Sequence, residues 1–221
     1  MTDHNSELQI TETVMKRVRE KFAEDGSGHG IDHIMRVYRV AVRIAKEENC
    51  DTFIVALIAL LHDVGDHKLS ANGTVNHREE IVELIEGTGL SNEQANQIID
   101  VVEKISFKGN GVADMPLSPE GRCVRDADRL DAIGSIGIAR AFAYGALKGR
   151  PMFDPEAGPS TSNSFGEYQN NKSHTINHFY EKLLLLKDRM ETSAGKRLAE
   201  GRHATLELFL AEFLLEWDAK R

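Results

Sequence analysis

Asp51-Thr-Phe-Ile-Val-Ala-Leu-Ile-Ala-Leu-Leu-His-Asp-Val-Gly65 is the most apolar stretch of the 221-residue chain. From Phe53 to Leu61 every residue is apolar, so the segment has no polar face to turn toward water. A helix of that kind belongs in the middle of a bundle. Asp51 sits where a side-chain oxygen caps the first turn by accepting backbone N–H groups. The run is too short to span a bilayer. It ends on His62 and Asp63, two polar side chains that are costly to bury unless something satisfies them.

Reading outward, the rest of the chain repeats helical periods. Leu8, Thr11, Val14/Met15, Val18 and Phe22 recur at three- and four-residue steps, with Ser6 as the expected N-cap and Gly26-Ser-Gly-His-Gly30 as the stop. A second helix is expected from about Asp32 to Glu48, with His33 in its first turn and Ile34, Val37, Tyr38, Ala41 and Ile44/Ala45 inward. A fourth follows Asn76. A fifth follows Ser91, whose spacing to Gln94 is that of a capping box. Ser118-Pro119 opens a sixth with serine at the cap and proline at the first helical position. That helix carries Arg125-Asp-Ala-Asp-Arg-Leu-Asp131 and is expected to reach about Leu147 past an interruption at Gly134 and Gly137.

Gly149 to Lys172 is rich in Gly, Pro, Ser and Asn and longer than an ordinary connection, so it reads as a mobile surface excursion or a cover for a site. Two helices are expected to close the chain, one marked by Ile176, Phe179/Tyr180, Leu183/Leu184 and Leu186/Lys187. The other, marked by Leu198, Leu206, Phe209, Phe213 and Trp217, is expected to pack as a lid on the bundle. There is no internal repeat, convincing strand pair or dividing linker. The expectation is an all-α, single-domain helical bundle over residues 1–221, with its working core at about 25–150 and C-terminal helices at about 174–218.

Composition narrows the function. A formal charge of −8 argues against a protein that coats nucleic acid, which gains affinity from a basic face, but allows a small anionic ligand held by local cations or a metal. The two cysteines, Cys50 and Cys123, form neither a CxxC pair nor a disulfide framework. With no basic-then-apolar leader at the N-terminus, the expectation is a cytoplasmic protein without a membrane span.

Neutral imidazole and carboxylate suit Zn, Mn, Fe or Co, and His62 and Asp63 can both point at one ion near a helix end. The pair equally fits a core histidine bonded to a carbonyl beside a solvated acid. Asp32-His33 and the acids Asp126, Asp128 and Asp131 are as ambiguous one by one.

Their order resolves the ambiguity. Gly30-Ile-Asp-His-Ile-Met-Arg-Val37, Leu60-Leu-His-Asp-Val64 and Asp126-Ala-Asp-Arg-Leu-Asp131 resemble the His…His-Asp…Asp pattern of the HD-domain phosphohydrolase superfamily, with separations of roughly thirty and sixty-five residues. Ile105-Ser-Phe-Lys-Gly109, the Ala132 to Gly145 stretch and Ile176-Asn-His-Phe-Tyr-Glu-Lys-Leu-Leu resemble its bacterial YpgQ-like and YedJ-like subgroup. The resemblance implies four metal ligands at His33, His62, Asp63 and Asp128, and a divalent ion, with Mn favoured over Co, Mg, Zn or Fe. It also implies hydrolysis of nucleoside triphosphates to monophosphate and pyrophosphate. Nucleotide monoesters and alarmones or cyclic nucleotides are the rival substrates, and a nucleotide-sensing protein without catalysis is the rival class.

On a helix Asp126 points about 200° from Asp128, whereas Asp131 lies within about 60° of it and could support the ligand from behind. By the same resemblance Asp66 assists the attacking water. Lys108, Arg36 and Arg129 are the candidate cations for a polyphosphate. His67 and His77 fall where members with two metals place extra ligands. His178 receives no role beyond packing or lining the pocket. The resemblance leaves room for a homodimer and gives no role to membrane or nucleic acid.

Overall fold

The structure, a computed structural model, describes residues 2–23, 30–65, 77–105, 114–159 and 173–221. Among them are nine α-helices and no strand. They are α1 (Thr2–Lys21), α2 (Ile31–Glu48), α3 (Thr52–Leu61), α4 (His77–Ile85), α5 (Asn92–Ile105), α6 (Pro119–Asp131), α7 (Gly134–Leu147), α8 (Thr175–Glu181) and α9 (Ser193–Trp217). No single described helix is long and apolar enough to cross a membrane. The chain divides into two compact units, 1–106 with 115–127 and 107–114 with 128–221. The boundary falls inside α6, which is one continuous helix.

In the first unit α3 is the centre. Every residue from Phe53 to Leu61 is buried, and the helix packs against α1, α2 and α5, while α4 packs on α1 and α5. Asp51 caps it as expected: its Oδ1 accepts from the amides of Phe53 and Ile54 at 2.9 and 3.2 Å. The Ser91/Gln94 box also forms, Gln94 N–H donating to Ser91 Oγ at 3.2 Å and Ser91 N–H to Gln94 Oε1 at 3.0 Å. Ser118 Oγ accepts from Gly121 N–H at 3.3 Å, with Pro119 at the first position of α6. Gly121 is a close-packing point, since a Cβ there would stand 2.8 Å from Val101 Cγ1 on α5. Ser6 is a correction: α1 starts at Thr2, so Ser6 lies inside the helix.

The second unit is built on aromatic rings. Phe179 of α8 stacks on Phe209 of α9 with centroids 5.6 Å apart, and Phe142 of α7 meets Phe179, Phe209 and Phe213 edge-on or tilted. The expected interruption after α6 is a true break. Ile133 is extended, and Gly134 takes φ +73°, a left-handed conformation that suits glycine.

The first closing helix is shorter than expected. α8 ends at Glu181 because Lys182 leaves the helical region (φ −141°, ψ −58°), and two 3-10 turns follow, Leu183–Leu185 and Lys187–Arg189. With three residues per turn, Leu183 and Leu186 share one buried side while Leu185 is exposed.

The start of the 149–172 excursion is tied down rather than loose. Thr175 and Ile176 amides donate to Pro151 and Met152 carbonyls at 2.9 and 3.0 Å, and Asn177 Nδ2 donates to Ala157 and Gly158 carbonyls, both at 3.0 Å. Residues 160–172 lie outside the described residues.

Candidate metal centre

The centre begins with two helix ends. Gly30, extended at φ −67° and ψ −178°, turns the chain into α2, and its carbonyl accepts from His33 and Ile34 amides at 3.0 and 3.3 Å. His33 is thereby set in the first turn, one turn before Val37 on the buried face of α2. At the other end, α3 stops at Leu61. His62 keeps helical angles as the C-cap, Val64 N–H closes a tight turn onto the Leu61 carbonyl at 3.0 Å, and Gly65 leaves at φ +74°. A helix C-terminus carries partial negative charge and favours a cation there.

His62 is oriented by its own helix. Its Nδ1 lies 2.8 Å from the Ala59 carbonyl, which can only accept, so Nδ1 is the donor and Nε2 is turned inward. That Nε2 lies 3.2 Å from His33 Nε2. Asp63 completes the group, with Oδ2 3.3 Å from His33 Nε2 and Oδ1 3.6 Å from His62 Nε2. His33, His62 and Asp63 are 2%, 4% and 8% exposed, so water cannot be their main partner.

Asp128 follows Ala127 without a break in α6, and His33, His62 and Asp128 each offer a donor atom within 4.8 Å of the other two. Asp128 is half-buried, unlike the two histidines.

These distances fit a metal. Donors about 2.0–2.2 Å from one ion and separated by tetrahedral or octahedral angles stand about 2.8–3.6 Å apart. The three contacts among His33, His62 and Asp63 all fall in that interval. Two imidazoles and carboxylates without cysteine form a donor set for a divalent ion. A cation between them gives each inward lone pair a partner.

The remaining sequence candidates separate. Arg36 is half-buried one turn past His33. Arg129 is 5% exposed; its Nη2 lies 2.7 Å from Asp114 Oδ2 and its Nη1 3.8 Å from Glu191, and it donates to the Arg189 carbonyl. These contacts tie it within the second unit. Asp131, expected behind Asp128, pairs with Arg140 at 2.7 Å. Asp126 is fully buried and, like Asp63, is not among the three residues whose donor atoms lie within 4.8 Å of one another. Asp66, His67 and Lys108 lie outside the described residues. His77 opens α4.

His178, on α8, is held neutral: burial, and then the positive charges of Lys182 and Arg150, push its pKa down to about 3. The histidine-to-carbonyl contact that the sequence allowed for His62 is made to Ala59, three residues back along the helix. The Asp131–Arg140 pair escaped the sequence reading and had no local signal.

The comparisons with known proteins give the family. The HD domain family model matches residues 30–133, which include all four candidate ligands. YpgQ of Bacillus subtilis (strain 168) is 36% identical over 207 residues, 93% of each chain. Its crystal structure in complex with ADP superposes with a TM-score of 0.76 at 33% identity, covering 94% of this chain and 95% of that one. An HD-superfamily hydrolase from Bacillus thuringiensis gives a TM-score of 0.75 at 36% identity over 96% and 99% of the two chains. A Lactobacillus plantarum crystal structure gives 0.83 at 36% identity over 95% and 97%. With its motifs, its helices and its full-length relatives in agreement, the chain belongs to the HD-domain superfamily of hydrolases, in the group that contains YpgQ.

Proposed function

We propose that this protein hydrolyses a nucleoside triphosphate to the monophosphate and pyrophosphate at a centre made by His33, His62, Asp63 and Asp128. The observation that carries the reading is the donor set, in which two buried imidazoles meet Asp63 at 3.3 and 3.6 Å and Asp128 offers an oxygen within 4.8 Å of both. That YpgQ was crystallised with ADP supports a nucleotide as the ligand.

A divalent ion bound there, with Mn favoured, would supply a Lewis acid that polarises a phosphoryl oxygen and lowers the pKa of water. The chain's own groups do the rest. The Ala59 carbonyl accepts from His62 Nδ1 and keeps Nε2 turned inward. Asp63, against both histidines, balances positive charge in the low-dielectric interior. Half-buried Asp128 marks the side from which a substrate approaches. Asp66, three residues after Asp63, is placed by sequence to take the proton from the attacking water. Arg36 and Lys108 are the cations proposed to steady the polyphosphate.

The test is a panel of ribo- and deoxynucleoside triphosphates, monophosphates, an alarmone and a cyclic nucleotide, each with Mn, Co, Mg or Zn, scoring pyrophosphate and phosphate release separately. Pyrophosphate and monophosphate from triphosphates is the expected result. Phosphate released from monophosphates while triphosphates stay intact would make the protein a phosphomonoesterase. Nucleotide binding with no turnover under any metal would make it a sensor.

A further inference from the structure

Cys50 and Cys123 stand 73 positions apart in sequence, yet their Sγ atoms are 3.7 Å apart. Cys50 follows the left-handed C-cap of α2, Asn49 (φ 57°), and its amide donates to the Ala45 carbonyl at 2.9 Å. It is half-buried, whereas Cys123, on α6, has no exposed surface, and both are free thiols. A disulfide needs its sulfurs at about 2.05 Å, so a local shift of under about 2 Å separates contact from bond.

The two thiols are not equivalent. Cys123 donates its S–H toward the Cys50 sulfur. Burial, reinforced by Cys50 and the negative charges of Glu48 and Asp126, pushes the Cys123 thiol far above its ordinary range, so Cys123 keeps its proton. Cys50 is the sulfur that solvent reaches first, and Cys123 is the one positioned to resolve what forms there.

We propose that Cys50 and Cys123 are a reversible thiol–disulfide pair, entered through Cys50 and oxidised by a low-molecular-weight disulfide. The Cys50 thiolate attacks one sulfur of the oxidant, whose S–S bond breaks and whose leaving thiolate takes up a proton. Cys123 Sγ then attacks Cys50 Sγ, the Cys50–small-thiol S–S bond breaks, and the Cys123 proton passes to the departing sulfur, which leaves as the second small thiol. In balance, two protein thiols become one disulfide and one small disulfide becomes two thiols. The bond would tie the C-terminal end of α2 to the middle of α6, the helices that also carry His33 and Asp128. This inference does not depend on the proposed hydrolysis.

The experiment treats the folded, full-length protein with oxidised glutathione, then unfolds it in an alkylating agent that blocks remaining thiols, and maps the products by mass spectrometry. The expected product lacks two hydrogens, carries no alkyl group and yields a cross-linked Cys50–Cys123 peptide. Its thermal midpoint should rise by about 5–10 °C and fall back on reduction. Cys123→Ser should instead accumulate a stable glutathione adduct at Cys50, and Cys50→Ser should leave Cys123 unreactive until the chain is unfolded. A wild-type protein that stops at the Cys50 adduct, or whose two thiols are both alkylated once the treated chain is unfolded, would overturn the proposal.

Discussion

His62 owes its orientation to a single carbonyl. The Ala59 oxygen accepts from its Nδ1 at 2.8 Å, which aims Nε2 at His33. At His178 the same side chain answers to burial and charge instead, because burial, then Lys182 and Arg150, holds its pKa down to about 3. A histidine titrates near 6.5 in the unfolded chain and near 3 here, so on acidification through that window the unfolded chain binds a proton that the folded one refuses. His178 therefore makes stability fall as pH drops from about 6.5 toward 3. His178→Gln should flatten part of that decline in denaturant titrations run across the interval, and an unchanged slope would show that the ring protonates in the folded protein.

The order His33, His62-Asp63, Asp128 was legible in the sequence because it is carried by short motifs with apolar flanks. The role of Arg129 was not. Its partners Asp114 and Glu191 are remote in sequence, and an arginine next to a ligand looks the same whether it faces a phosphate or a carboxylate.

Among the elements, α3 bears the most weight. Asp51 holds two of its first amides, and its nine following apolar residues are all buried. Asp51→Ala should cost about 1 kcal/mol by loss of the cap. Leu57→Ala, at a fully buried position, should cost about 2–5 kcal/mol through the cavity it leaves. Both are read by chemical denaturation; a loss at Leu57 no larger than at Asp51 would mean that α3 is not the centre of its unit.

Helix starts with local chemistry, such as Asp51, Ser91/Gln94 and Ser118-Pro119, were readable because the capping atoms lie within three residues. The start of α1 was not, since Thr2 to Ser6 is polar and shows no apolar period. Nor was the end of α8, where four consecutive leucines fit a 3-10 turn as well as an α-turn.

For the molecule as a whole, the proposed function leads to a definite pattern of inhibition. Under that proposal a nucleoside diphosphate competes with the triphosphate, raising KM and leaving kcat unchanged. Inhibition that lowers kcat alone would place the diphosphate elsewhere.

The most direct test of the account is metal binding itself, measured on the protein stripped with a chelator and titrated with Mn by calorimetry. The account predicts a site that the wild type fills, with turnover returning in step. It also predicts that His62→Ala/Asp63→Ala loses both binding and turnover while its helical circular dichroism persists. A double variant that still binds Mn as the wild type does and hydrolyses triphosphate at full rate would contradict it.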